Sequence, residues 1–87
     1  MVVSKNIYYR FESEINNGTL YIFDIIKQKI IKSNYFSYLI ISNIDKNKSY
    51  SEIIAIISEV FKDYSKNEIE GLLNQGIEYL KKYEVLE

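Results

Sequence analysis

The spacing of the apolar residues changes once along the chain, near position 34. Before this point, in residues 6–15 ("NIYYRFESEI"), Ile7, Tyr9, Phe11 and Ile15 fall on one side and polar residues dominate the other. After it, apolar residues recur at intervals of three and four. Alternation is typical of a half-buried antiparallel strand, and the longer interval is typical of an amphipathic helix. The chain is therefore predicted to form strands first and helices afterwards.

Polar clusters divide the first part into three strands. Asn17-Gly18 is a hairpin signal because both residues tolerate positive φ, and Asp24 is expected to open a second turn. The predicted strands cover residues 6–15, 19–24 and 29–32.

Capping patterns divide the second part into three helices. Asn34 is a favourable N-cap, and "DKNK" at 45–48 interrupts the first helical stretch. Two capping boxes follow, Ser49-x-x-Glu52 and Ser65-x-x-Glu68. The predicted helices cover residues 35–43, 50–64 and 66–82.

This order of elements predicts an α+β, winged-helix-like domain, in which a three-stranded antiparallel sheet is followed by three helices. The 87 residues suffice for a single domain with one modest core, residues 1–87. The helices must cover one face of the sheet to bury its apolar side. Because the strands are consecutive, at least one outer strand is left with unpaired backbone N–H and C=O groups.

The composition argues against several classes of function. The chain has no cysteine and no histidine, so it lacks a thiolate metal site and the commonest general base. Ser49 and Ser65 are explained as helix caps, and the carboxylates of the helices as a solvated surface. We therefore expect no enzyme activity, no metal and no cofactor. No stretch approaches the length of a membrane span, and the expected location is the cytoplasm.

Lysines surround the third predicted strand, at positions 27, 29 and 32. They permit two interpretations. Lysines protect an edge strand from pairing with another molecule, or they select an acidic strand that is meant to pair there. The neighbouring Ile25 and Ile26 favour the second interpretation if they are exposed, and they are uninformative if the first helix buries them.

The residues also resemble a known family. The run "LYIFDIIKQKIIKSNYFSYLIISNID" resembles the middle of PqqD-like domains, the recognition elements for ribosomally synthesised precursor peptides (RiPPs). "SYSEIIAIISEVF" and "NEIEGLLNQGIEYLKKYEVLE" are similar to the second and third helices of that family. The matching positions are Asp24, Ile31 to Asn34, Ile40, Ile41 and Asp45. The chain departs from the pattern at Lys46, where glycine is usual, and at Ile25-Ile26, where the family has a polar turn.

The resemblance implies a peptide-binding module without catalytic activity. In the family, the leader segment of a precursor peptide adds as a strand beside the third strand and lies against the third helix. The implied binding residues are Lys27, Lys29, Ile30, Ile31, Lys32, Glu70, Leu73, Asn74, Ile77 and Lys81. Whether Leu73 or Ile77 faces the ligand is left open. The implied partners are an acidic and apolar leader and a separate maturation enzyme, such as a radical-SAM enzyme or a leader peptidase.

Two other functions fit the same order of elements. A winged-helix DNA-binding regulator has this fold class, but the net charge of −1 and the acids of the third helix argue against nucleic acid as a partner. A protein that dimerises through its open edge strand is the other alternative. The expected oligomeric state is accordingly a monomer or an edge-strand dimer.

Overall fold

Three antiparallel strands form the beginning of the chain in the computed structural model, which describes residues 1–87. They are β1 (Ile7–Glu12), β2 (Thr19–Asp24) and β3 (Lys29–Ser33), and they lie in the order β1-β2-β3. Three helices follow, namely α1 (Tyr35–Asp45), α2 (Tyr50–Val60) and α3 (Lys66–Lys82). The predicted α+β class, with a three-stranded antiparallel sheet followed by three helices, is confirmed.

β1 ends at Glu12, before the expected position 15. Because Glu12 pairs with Thr19, residues 13–18 form the loop to β2, in which Asn16, Asn17 and Gly18 have φ values of 49°, 61° and 110°. The Gly18 amide donates to the Ile15 carbonyl at 2.9 Å, which closes the loop. Ile15 is therefore exposed in this loop and does not extend the apolar side of β1.

All three helix caps form as the sequence indicates. Asn34 accepts a hydrogen bond from the Ser37 amide, and both capping boxes are present, at Ser49 with Glu52 and at Ser65 with Glu68. These bonds satisfy amides that have no partner within the first turn of a helix. The helix starts are thus fixed locally.

Two helices end away from the expected positions. α1 continues to Asp45, past the expected position 43, and the Asn43 side chain donates to the Leu39 carbonyl at 2.7 Å within the helix. α2 stops at Val60, short of the expected position 64, because Phe61 leaves the helical conformation. The Phe61 ring packs 5.7 Å from the Phe36 ring between α1 and α2.

One face of the sheet packs against the helices and forms the core with them. Leu20 and Ile22 of β2 are fully buried there, within a cluster of sixteen buried apolar residues. The C-terminal Val85 and Leu86 are also buried, and Leu86 pairs with Val3 near the other end of the chain. None of the helices is long and apolar enough to cross a membrane.

Candidate functional site

β3 is an outer strand of the sheet and pairs only with β2. Its residues Lys29, Ile31 and Ser33 lie opposite buried residues of β2 and share their face, which is the core side of the sheet. Ile30 and Lys32 alternate with them and point to the opposite, outer face. The free side of β3 therefore offers unpaired backbone groups that an extended peptide could use.

A groove runs beside this free edge, between β3 and α3. It consists of two depressions, of about 420 Å³ near Lys29 and about 400 Å³ near Ser33. We call both depressions together the β3–α3 groove. The side chains that line it include those of Lys29, Ile31, Ser33, Leu72, Tyr79 and Lys82. Because Lys29 lies near the end of α3 and Ser33 near its middle, β3 runs antiparallel to α3.

α3 has apolar residues on its core side and also on the side of the β3–α3 groove. Leu73 and Ile77 point into the core, with exposed fractions of 0% and 8%, so neither is available to a ligand. Leu72, next to Leu73, faces the β3–α3 groove and is 39% exposed. The apolar stripe of the helix is thus wider than the core needs, and its surplus lies on the side of β3.

The polar positions expected on α3 lie on the side away from β3. Glu70 lines a separate cleft between α2 and α3, of about 310 Å³. The Asn74 side chain accepts a hydrogen bond from the Tyr50 hydroxyl of α2 at 2.9 Å. Lys81, which follows Asn74 by seven residues, falls on the same side of the helix. These three residues are not brought together with β3.

The three lysines around β3 have different surroundings. Lys27 forms an ion pair with Glu84, with 2.8 Å between Nζ and Oε1. Lys32 points to the outer face, where its ammonium lies 5.9 Å from the centre of the Tyr21 ring. Lys29 lines the groove without an ion pair. Lys82 of α3 joins it there. Near the end of a helix, a lysine is also favourable against the helix dipole.

The two isoleucines of the β2–β3 turn are exposed, and α1 does not bury them. Ile26 is 76% exposed and Ile25 about half exposed. They lie next to the groove and do not line it. Ile30 and Tyr8 form a further apolar row with Phe23 across the outer face of the sheet.

Asp24 holds the β2–β3 turn in place. Its Oδ1 accepts hydrogen bonds from the Lys27 amide at 2.9 Å, the Ile26 amide at 3.1 Å and the Asn6 side chain at 2.7 Å. The Lys27 amide first, and then Asn6 and Ile26, hold the pKa of this carboxyl below its ordinary value of 3.8. The start of β3, and with it Lys29, is positioned by this carboxylate.

The lowered pKa of Asp24 predicts a pH dependence of stability. Because the folded state favours the ionised carboxylate, this stabilisation is present above pH 3.8 and is lost as the pH falls through the folded-state pKa. Asp24→Asn keeps an oxygen acceptor without the charge. We expect the Tm of this variant to be lower than that of the wild type near neutral pH, and the difference to shrink below about pH 4. A difference that stays constant in thermal melts across this range would contradict the role of the charge.

The structure brings together no group of three or more acidic side chains that could hold a metal ion. The glutamates of the two capping boxes are used by backbone amides.

The fold is similar to that of a solved peptide complex. The structure of TbiB1 in complex with the TbiA(beta) leader peptide superposes with a TM-score of 0.83, at 17% sequence identity, over 100% of this chain and 95% of that chain. No protein-family model matches the sequence, and the search of curated proteins gave no match either. At this identity the similarity establishes the fold.

Proposed function

We propose that this chain is a leader-peptide-binding domain of the PqqD-like kind, formed by residues 1–87. It captures a ribosomally synthesised precursor peptide by adding the leader as a fourth strand at the free edge of β3. Main-chain hydrogen bonds provide general affinity in this mode, and side-chain pockets provide selectivity. The observation that carries the proposal is the unpaired edge of β3 directly beside the β3–α3 groove.

The similar fold supports this proposal from a second direction. TbiB1, which has nearly the same architecture, was solved with a leader peptide bound. The binding residues that we propose are Lys29, Ile30 and Ile31 of β3 together with Leu72, Tyr79 and Lys82 of α3. Lys27 also lines the groove but is paired with Glu84, and Lys32 lies on the outer face of the sheet.

The proposed role is that of a scaffold without a cofactor. The domain would hold the precursor peptide for a separate maturation enzyme, such as a radical-SAM enzyme or a leader peptidase. Holding the substrate next to the enzyme raises its effective concentration without any new contact at the reacting atoms. A short precursor gene and a maturase gene beside the gene for this chain would agree with this role.

The charge of α3 argues against the DNA-binding alternative. Glu68 and Glu78 are exposed on this helix, and Glu70 is half-buried between them. A helix that reads a DNA groove would present arginine, lysine, asparagine or glutamine there. We expect this chain to cause no gel shift of DNA at low salt.

Hydrogen exchange tests the proposed strand addition. The probe is a peptide selected for binding from a randomised display library and then synthesised. With peptide at 100 times its Kd, outward-facing amides of β3 are expected to exchange up to about 100-fold more slowly, because opening then requires release of the peptide. The comparison set is the α2 amides around Ala55, which line the cleft on the other side of α3. Protection at α2 without protection at β3 would overturn the proposal, as would a library that yields no binder.

A further inference from the structure

The two ends of the β3–α3 groove differ in charge, and this difference defines the peptide that the groove fits. The inference rests on the proposed function, because it assumes that an extended peptide lies along β3. It assigns a side-chain chemistry to those positions of the peptide that face the groove.

The end of the groove near the β2–β3 turn is cationic. Lys29 and Lys82 both line it, and neither forms an ion pair. Asp24 also lines it and accepts three hydrogen bonds, while Glu84 pairs with Lys27. The Lys82 ammonium lies 5.8 Å from the centre of the Tyr83 ring, and together with Lys29 it carries the surplus positive charge that attracts a carboxylate of the ligand.

The end of the groove near the middle of α3 is uncharged. Leu72, Phe36 and Tyr79 provide its apolar surface. Of its polar groups, the Ser33 hydroxyl donates to Ser37 at 2.7 Å and Asn34 accepts from the Ser37 amide, and Gln75 is uncharged. An apolar side chain of a ligand fits the apolar surface of this end, whereas a charged one would find no opposite charge there.

The geometry of a strand determines how far apart in the peptide the residues at these two ends must be. Side chains of a strand alternate between faces, so only every second residue of an added strand points into the groove, beside Lys29, Ile31 or Ser33. Lys29 and Ser33 are four residues apart, or about 13 Å along the strand. A carboxylate beside Lys29 and an apolar side chain beside Ser33 are then also four residues apart in the peptide.

The direction of the peptide follows from the sheet. Both strand pairs are antiparallel, and antiparallel pairing is slightly more stable per residue than parallel pairing. A peptide antiparallel to β3 runs from the Ser33 end to the Lys29 end. We propose that the groove selects the pattern apolar-x-apolar-x-acid, read from the N-terminal to the C-terminal end of the bound segment, with Lys29 and Lys82 choosing the acid.

Parallel library selections test this pattern. One randomised peptide library is selected against the wild type and against Lys29→Glu/Lys82→Glu. The wild-type pool is expected to place Asp or Glu four residues after an apolar residue. The charge-reversed pool is expected to place Lys or Arg at that position and to keep the apolar residues. A selected acidic peptide should bind the charge-reversed variant about tenfold more weakly, a change of about 1.4 kcal/mol.

The matched control is Lys66→Glu/Lys81→Glu, which changes the net charge equally and alters exposed lysines of α3 outside the groove. This control is expected to keep the acidic preference of the wild type. Pools that bind without a preferred charge at that position, or a reversal seen equally in the control, would overturn the inference while leaving strand addition intact. Pools with no enriched peptide at all would count against the proposed function itself.

Discussion

Leu73→Ala is expected to lower the free energy of unfolding by about 3 kcal/mol. The Leu73 side chain is fully buried in the sixteen-residue core, on the side of α3 that meets the rest of the domain. Its truncation removes apolar contact and leaves a cavity that the surrounding helices fill only partly. In a domain of this size, the Tm is expected to fall by about 15 °C, which a thermal melt followed by circular dichroism measures directly.

Leu72→Ala is the matched control for this prediction. It removes the same atoms one position earlier, where the side chain is 39% exposed in the β3–α3 groove. We expect a loss below about 1 kcal/mol, because little apolar surface returns to water and no closed cavity forms. Equal losses for the two variants would show that α3 does not present Leu73 to the core and Leu72 to the groove.

The pair also illustrates how far the sequence could predict the site. The apolar positions of α3 form a helical stripe that includes Leu72 as well as Leu73 and Ile77. A stripe this wide covers more surface than one core contact requires, and the surplus leaves one flank exposed. Which flank this is depends on where β3 lies relative to α3. Spacing within the helix does not contain that information.

The elements that were predicted well are those whose boundaries are set locally. Asn34, Ser49 and Ser65 begin helices through hydrogen bonds to amides three residues later. The end of α2, which differed, coincides with a contact to a distant partner. α2 ends early where Phe61 packs against Phe36 of α1.

The lysines show the same contrast between what neighbouring residues determine and what distant residues determine. The order of the strands predicts at least one open outer strand, and the lysines at positions 27, 29 and 32 surround the third strand. Which of these lysines forms an ion pair could not be predicted from the sequence, because the partner of Lys27 is Glu84 at the other end of the chain. Lys82 lies at the end of a helix, where a lysine is expected from the helix dipole alone, and only the meeting of β3 with the end of α3 places it beside Lys29.

The largest expected effect on binding is that of Leu72→Arg. A selected peptide is expected to bind this variant about 30-fold more weakly, which corresponds to about 2 kcal/mol. The substitution replaces apolar surface at the uncharged end of the groove with a long cation, and the apolar side chain of the peptide loses its contact there. Because Leu72 is partly exposed, the fold should tolerate the change, and a Tm close to that of the wild type would demonstrate this.

Ala55→Arg is the control that separates this effect from the added charge. Ala55 is exposed and lines the cleft between α2 and α3, on the opposite side of α3 from β3. The same side chain introduced there should leave the Kd within about twofold of the wild type, because surface substitutions away from a site change energies by less than about 0.5 kcal/mol. Fluorescence anisotropy with one labelled peptide compares the three proteins directly. If Ala55→Arg weakened binding and Leu72→Arg did not, the peptide would occupy the α2–α3 cleft, and the assignment of the β3–α3 groove would be wrong.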